Sequence, residues 1–248
     1  MLAACLQLEI NLCNPDNNSR RALNLANYAL REGAEILVFP ELFLTGFCYN
    51  PSAWNNTPFP ILDPFRKMAE KHDCIIIGSI MSKKQNLGFC LESDGIKFQP
   101  KIHPFNEEKE HFDGGDIITP IPTKREKIGL QICYDLRFPE VARCLSLKDA
   151  DILVTIAQFP THRLSHWRTL CLARAIENQI PHLACNWANA GGSLIIDACG
   201  EILIEAGINE TVIIGNVDLE RRDGIRKEIP CFADRRPDAY RLAHDGSH

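Results

Sequence analysis

The chain has 248 residues, 45% of them apolar and 24% charged, with a formal net charge of −5. This is the profile of a globular protein with enough apolar material for one large domain, expected to span residues 1–248. The mildly acidic balance excludes recognition of nucleic acid through a clustered basic face, and no apolar run approaches the roughly 20 residues of a membrane helix.

The N-terminal stretch Met1–Ile10 is apolar but too short and uncharged for a signal segment, and Leu2–Glu9 within it reads as a buried strand. Asn14-Pro15-Asp16 starts a helix, Asn18–Arg31 carries Leu23, Ala26 and Leu30 at helical spacing, and Gly33 ends it. Ala34–Phe39 is a continuous apolar run expected to be a buried strand. Phe65–His72 reads as a helix and Cys74–Ile80 as a strand; Leu87–Leu91 and Ile96–Gln99 form a hairpin around Ser93-Asp94-Gly95. The basic run Lys124-Arg125-Glu126-Lys127 reads as a solvated loop. Strand Lys127–Ile132, helix Pro139–Leu147, strand Asp151–Ile156 and helix Leu164–Asn178 follow. His182–Asn186, Ser193–Asp197, Glu201–Ala206 and Thr211–Asp218 are predicted strands, with Ala198-Cys199-Gly200 as a tight turn. No repeat or linker divides the chain. The alternation predicts an α/β fold with a mixed sheet under helices, and the pattern leaves open whether there is one sheet or two.

Eleven cysteines are present, none with C-x-x-C spacing. In a chain of this length the expectation is thiols packed as small hydrophobes in a reducing cytoplasm, not a disulfide framework, with one or two of them chemically special.

Three polar residues stand directly behind apolar strand-like runs: Glu41 after Pro40, Lys101 after Pro100, and Cys133 where Ile128–Ile132 runs into a turn. A proline cannot continue a sheet ladder, so the residue after it is turned out of the strand. Taken singly, Glu41 reads as a helix-start carboxylate, Lys101 as a surface lysine and Cys133 as core. Their shared placement points to one site. A carboxylate there would take the proton of the thiol, a lysine ammonium would favour the thiolate and the oxyanion, and the N–H of Tyr134 would be a second oxyanion donor. Glu, Lys and Cys together describe acyl transfer through a thioester, without a metal or cofactor.

The stretches Phe39-Pro40-Glu41-Leu42-Phe43-Leu44-Thr45-Gly46-Phe47, Lys101-Ile102-His103-Pro104-Phe105 and Ile132-Cys133-Tyr134-Asp135-Leu136-Arg137-Phe138-Pro139 resemble the nitrilase (carbon–nitrogen hydrolase) superfamily. So do Ala173-Arg174-Ala175-Ile176-Glu177-Asn178-Gln179 and Arg236-Pro237-Asp238-Ala239-Tyr240, in order along nearly the whole chain. The resemblance implies a four-layer αββα sandwich and hydrolysis of a non-peptide carbon–nitrogen bond, with Glu41 as base, Lys101 as oxyanion stabiliser and Cys133 as nucleophile. It also implies a homodimer joined through helices Phe138–Leu147 and Leu164–Asn178. A second glutamate near the lysine belongs to the pattern; Glu107, Glu108 and Glu110 are the candidates and Glu108 is chosen. Gln158-Phe159-Pro160-Thr161-His162-Arg163 and Ser165-His166-Trp167-Arg168 resemble the ω-amidase branch, which acts on short 2-oxo acid amides such as 2-oxoglutaramate. On that reading Arg137 or Arg163 would hold the substrate carboxylate, and Phe47 and Phe159 would wall the chain carbons. The alternatives are a nitrilase, an amidase for other small substrates, or a non-catalytic scaffold of the same fold.

His162 and His166, four residues apart, lack the H-E-x-x-H pattern and an obvious third ligand, so packing or hydrogen bonding is the expectation. Gly191-Gly192 reads as a turn, Trp167 as core or interface, and Arg174 as a structural partner of Glu177.

Overall fold

A computed structural model describes residues 1–49 and 59–240. One six-stranded sheet contains β1 (Leu2–Gln7), β2 (Ile36–Val38), β3 (Ile75–Ser82), β4 (Gln85–Glu92), β5 (Gly95–Pro100) and β12 (Thr211–Asn216), in the order β12-β1-β2-β3-β4-β5. The other contains β6 (Ile121–Pro122), β7 (Lys127–Ile132), β8 (Ile152–Ala157), β9 (His182–Asn186), β10 (Leu194–Ile196) and β11 (Ile202–Glu205), in the order β11-β10-β9-β8-β7-β6. Each sheet has three parallel strands at its centre, β1-β2-β3 and β7-β8-β9, and antiparallel strands towards its rims. The helices are α1 (Pro15–Arg31), α2 (Asp63–His72), α3 (Glu108–His111), α4 (Pro139–Leu147), α5 (Leu164–Asn178) and α6 (Leu219–Glu228).

Strand alternation explains the layering. On β1, Ala4 and Leu6 face α1 and α2, whereas Ala3 and Cys5 face the second sheet; on β3, Ile76 and Ile80 point one way and Ile75 and Ile77 the other. A sheet buried on both faces reads as continuous apolar runs, which is why Ala34–Phe39 and Cys74–Ile80 carry no polar alternation. Phe39, Phe43 and Phe65 pack at 4.4–5.6 Å between ring centroids in the layer under α2. The second sheet is covered by α4, through Val141 and Leu145, and by α5, through Trp167, Cys171 and Ala175. The order helix, sheet, sheet, helix is the expected αββα sandwich, and it resolves the one-sheet or two-sheet ambiguity.

The predicted elements recur with trimmed ends. Helix α1 starts at the expected Asn14-Pro15-Asp16, with the Asn14 side chain accepting the N–H of Asn17 and Pro15 in its first turn. Helix α6 was not anticipated: Leu-Glu-Arg-Arg-Asp-Gly-Ile-Arg-Lys-Glu has no apolar stripe, and none of its residues is buried. The short α3 and β6 fell below any periodicity signal. One expectation is corrected. Cys13 and Cys48 form a disulfide, with Cα atoms 5.2 Å apart. Two local turns bring them together: Cys13 has φ +57°, Gly46 has φ +61°, and the Cys13 N–H donates to Thr45 O at 2.9 Å. Nothing in a spacing of 35 residues announces that approach. The other nine cysteines are free thiols, and five of these are buried.

Candidate active site

Glu41, Lys101 and Cys133 emerge at the same end of the two sheets. Glu41 follows β2, Lys101 follows β5, and Cys133 opens a 3-10 turn, Cys133–Arg137, directly after β7. Cys133 has φ +49°, the sharp reversal that turns its side chain off the strand. Asp135 holds the reversal. Its buried carboxylate accepts the N–H groups of Ile132 at 3.1 Å, Ile102 at 3.3 Å and His103 at 2.9 Å, and His103 Nδ1 lies 2.9 Å away. One side chain therefore ties the segment carrying Lys101 to the elbow carrying Cys133. Arg174 braces the far side of the turn: Nε and Nη2 donate to Leu136 O at 3.1 and 2.8 Å, and Nη1 meets Glu177 at 3.0 Å. In the sequence Asp135 is only one position of a motif, and Arg174 reads as no more than a partner for Glu177.

Lys101 is 1% exposed and lies between two carboxylates. Nζ donates to Glu41 Oε1 at 2.8 Å and contacts both oxygens of Glu108, at 2.9 and 2.7 Å. Of the three candidate acids, Glu108 is the one turned inward, from the first turn of α3; Glu107 and Glu110 are exposed. Glu41 Oε2 accepts the N–H of Gln158 at 3.0 Å, and the Glu41 carbonyl accepts Trp187 Nε1–H at 2.6 Å. Cys133 Sγ, partly open to the cavity, donates to Gln158 O at 3.7 Å.

Electrostatics follow from burial. Burial opposes charge on Lys101, but the negative charge of Glu41, Cys133 and Glu108 outweighs it and holds the ammonium above the usual lysine range. Burial, then the Glu41 carboxylate, raises Glu108 to about 7, against the lowering effect of Lys101. Burial and the two carboxylates push the Cys133 thiol well up, only partly countered by Lys101. The resting site therefore holds a neutral thiol and one cation shared by two acids.

Cys133 and Glu108 line a cavity of about 470 Å³, partly open to solvent, and the buried Lys101 and Glu41 adjoin it through Glu108. Phe47, Phe105, Tyr134 and Phe159 supply apolar walls; Arg137 and Arg163 supply positive charge. Each guanidinium lies over an aromatic ring, Arg137 5.0 Å from the Phe159 centroid and Arg163 5.9 Å from that of Phe105. All the residues expected at the mouth thus line one space, and Phe105 and Gln158 join them.

The residues set aside lie elsewhere or serve structure. His162 and His166 are exposed, and no group of three metal-binding side chains occurs among the described residues. Trp167 is core, 1% exposed, with Nε1 donating to Gly192 O. Gly191, at φ +76°, is a turn where a Cβ would meet Gly207 O at 2.4 Å. No helix of the described residues is long and apolar enough to cross a membrane.

Known proteins resemble this chain along nearly its whole length. The chain is 32% identical to the 2-oxoglutaramate amidase of Bacillus subtilis, over 96% of this chain and 98% of that one. It is 29% identical to the mouse ω-amidase NIT2, over 96% and 95%. Among solved structures it is similar to Saccharomyces cerevisiae Nit3, a member of branch 10 of the nitrilase superfamily, with a TM-score of 0.86, 28% identity, and 93% and 94% of the two chains covered. Residues 2–227 match the sequence model of the carbon–nitrogen hydrolase family. With fold, order of motifs and sequence match in accord, the chain belongs to the carbon–nitrogen hydrolase family.

Proposed function

We propose that the protein is an ω-amidase: it hydrolyses the terminal amide of a short 2-oxo dicarboxylic acid, such as 2-oxoglutaramate, through a thioester on Cys133. The observation that carries this reading is the buried Glu41–Lys101–Glu108 cluster, whose Glu108 lines, with Cys133, a cavity that also carries two arginines. The named relatives, a 2-oxoglutaramate amidase and ω-amidases, support the same substrate class.

The chemistry follows from the positions. Sγ of Cys133 attacks the amide carbon while Glu41 takes the thiol proton. Attack places negative charge on the carbonyl oxygen, which Lys101 Nζ and the N–H of Tyr134 stabilise at the start of the 3-10 turn. The carbon–nitrogen bond breaks as Glu41 returns the proton to the leaving ammonia. A water then gives its proton to Glu41 and adds to the thioester, and the carbon–sulfur bond breaks to release the acid as Glu41 returns the proton to Sγ of Cys133. A raised thiol suits this sequence: the nucleophile stays protonated until proton transfer to Glu41 accompanies attack. Glu108 is a charge partner of Lys101 that keeps the ammonium in place. No cofactor or metal enters the steps.

The substrate's α-carboxylate sits at the end remote from the reacting carbon, where Arg137 and Arg163 are placed for a charge-assisted contact. Phe47 and Phe159 flank the chain carbons. The test is kcat/KM on 2-oxoglutaramate and on a neutral aliphatic amide, for the wild type and for Arg137→Met and Arg163→Met. The acid amide should be preferred, and at least one arginine variant should raise its KM about tenfold or more while the neutral amide changes little. Wild-type preference for the neutral amide would reject the ω-amidase reading and leave the Glu–Lys–Cys hydrolase. Preference for a nitrile over every amide would make the protein a nitrilase.

We further propose that residues 1–248 act as one domain and that the enzyme works as a homodimer through the layer of α4 and α5. A cytoplasmic location suits a nucleophile that works only as a free thiol, whereas the Cys13–Cys48 disulfide counts against a reducing compartment.

A further inference from the structure

Asn86, at the start of β4, is 1% exposed and makes two contacts with the site from one residue. Its main-chain carbonyl accepts the N–H of Lys101 at 2.9 Å. Its side-chain Nδ2 donates to Glu41 Oε1 at 2.9 Å, the same oxygen that receives Lys101 Nζ at 2.8 Å. The amide carbonyl Oδ1, by contrast, is buried without a partner among the described residues. The orientation is dictated by charge: turned over, the amide would set its own carbonyl oxygen against a carboxylate.

A buried, unpaired carbonyl oxygen costs stability, and a leucine of similar volume would not carry it. What the asparagine supplies in return is the donor to Glu41. With Oε1 held by Asn86 and Lys101, and Oε2 fixed on the Gln158 N–H, the carboxyl group cannot swing about its last torsion. Its free lone pairs are then aimed in fixed directions. The Gln158 peptide is the link to the nucleophile, since its carbonyl accepts from Cys133 Sγ.

We propose that Asn86 is a positioning residue for the base: it locks the rotation of the Glu41 carboxylate and, through its main chain, the start of the segment that carries Lys101. The inference rests on the assignment of Glu41 as the base. It differs from a packing role in predicting that stability and turnover move apart.

The experiment is steady-state ammonia release and thermal melting of Asn86→Leu and Asn86→Asp, each also in a Glu41→Asp background. The Glu41→Asp change withdraws the carboxylate from Asn86 by one methylene. Asn86→Leu should lower kcat about tenfold or more with KM within twofold, the loss expected for one hydrogen bond to a charged group, and leave Tm unchanged or higher. Asn86→Asp is nearly isosteric, but it replaces the donor with a third acidic side chain; its kcat at neutral pH should fall further, and melting reads the cost of the added acid separately. In the Glu41→Asp background, Asn86→Leu should cost less than twofold, because the contact it removes is already gone. Wild-type kcat in both Asn86 variants, or an equal loss in the two backgrounds, would overturn the proposal. Full turnover by Cys133→Ala would instead remove the reading beneath it. A weak Glu41→Asp with an unaffected Asn86→Leu would remove this inference alone.

Discussion

One ammonium shared by two buried carboxylates is a poor arrangement for stability and a good one for chemistry. Removing Lys101 leaves Glu41 and Glu108 facing each other without a counter-ion, and an unpaired buried charge of this kind costs about 3–5 kcal/mol. Lys101→Met should therefore unfold at lower urea concentration at pH 7, with the deficit shrinking in mild acid as the acids take up protons. Its kcat should fall on the order of 10³ or more, since one lost oxyanion donor alone accounts for about 10²–10³. Cys133→Ala should abolish turnover and keep the circular dichroism spectrum. Glu108→Gln tests the shared cation more finely. With its carboxyl raised to about 7, Glu108 changes charge across the neutral range, so the wild-type rate should carry a step near pH 7. That step should be absent from the Glu108→Gln profile; its persistence would assign the step to another group.

At this scale the sequence was most informative where a residue type is rare in its setting. A glutamate, a lysine and a cysteine, each following an apolar run and a break, stand out because strand cores exclude them. Asn86 and Asp135 did not stand out. An asparagine near a strand end and an aspartate in a turn are ordinary in sequence, and only the fold shows that Nδ2 of one reaches Glu41 and that the carboxylate of the other gathers three N–H groups.

Elements reveal a different limit. Periodicity located every central strand, because β1, β2, β3, β7, β8 and β9 are buried on both faces and read as mainly apolar runs. It missed α6, whose polar residues lie along the surface. It also gave no sign of the polar side chains inside the second sheet. Gln131 on β7 donates to Thr155 on β8 at 3.3 Å, and Thr155 Oγ1 lies 2.7 Å from His182 Nε2 on β9. His182 Nδ1 lies 3.0 Å from Cys171 O on α5, which places the ring proton on Nδ1 and makes Nε2 the acceptor. Burial depresses His182 to about 4, below its ordinary 6.5, so the folded state resists its protonation. Between these values the unfolded chain binds the proton and the folded one does not. Stability therefore falls as pH drops from about 6.5 towards 4, by about 3 kcal/mol for this one group. His182→Gln should be less stable than wild type at pH 7, where a fitted contact is lost, yet lose less between pH 7 and pH 4.5. Urea midpoints at the two pH values check this; equal acid losses would exclude His182 as the source.

The disulfide belongs to the same scale. It ties the turn before α1 to the loop that carries Glu41 and Phe47. Closing a loop of this length contributes about 4 kcal/mol by the chain-entropy account, so Cys48→Ser should melt several degrees lower. Alkylation of the denatured, unreduced protein followed by mass measurement should count nine reactive thiols; eleven would mean the pair is open in the protein as isolated.

For the whole molecule, the outer layer formed by α4 and α5 shows apolar side chains to solvent. Leu147 at the end of α4 is 39% exposed and Ile176 on α5 is 54% exposed, the latter packed over the Gly200 turn, where an added Cβ would come within 2.2 Å of its side chain. Nearby, Arg143 on α4 donates to Glu177 O at 2.6 Å and lies 5.3 Å from the Phe232 ring, with burial lowering its pKa. Such a layer mixes apolar tips with fixed cations, the composition of a specific interface more than of a solvated helix face. The homodimer proposed above would use these same helices, and a two-fold axis would bring each patch against its own copy. Light scattering should then give twice the 27.9 kDa chain mass at working concentration. Ile176→Arg should shift it towards the single chain without changing the circular dichroism spectrum, since the side chain lies at the surface and a buried like charge would face itself across the axis. A wild-type mass of 27.9 kDa would remove the dimer; a variant that stays dimeric would move the interface off α5.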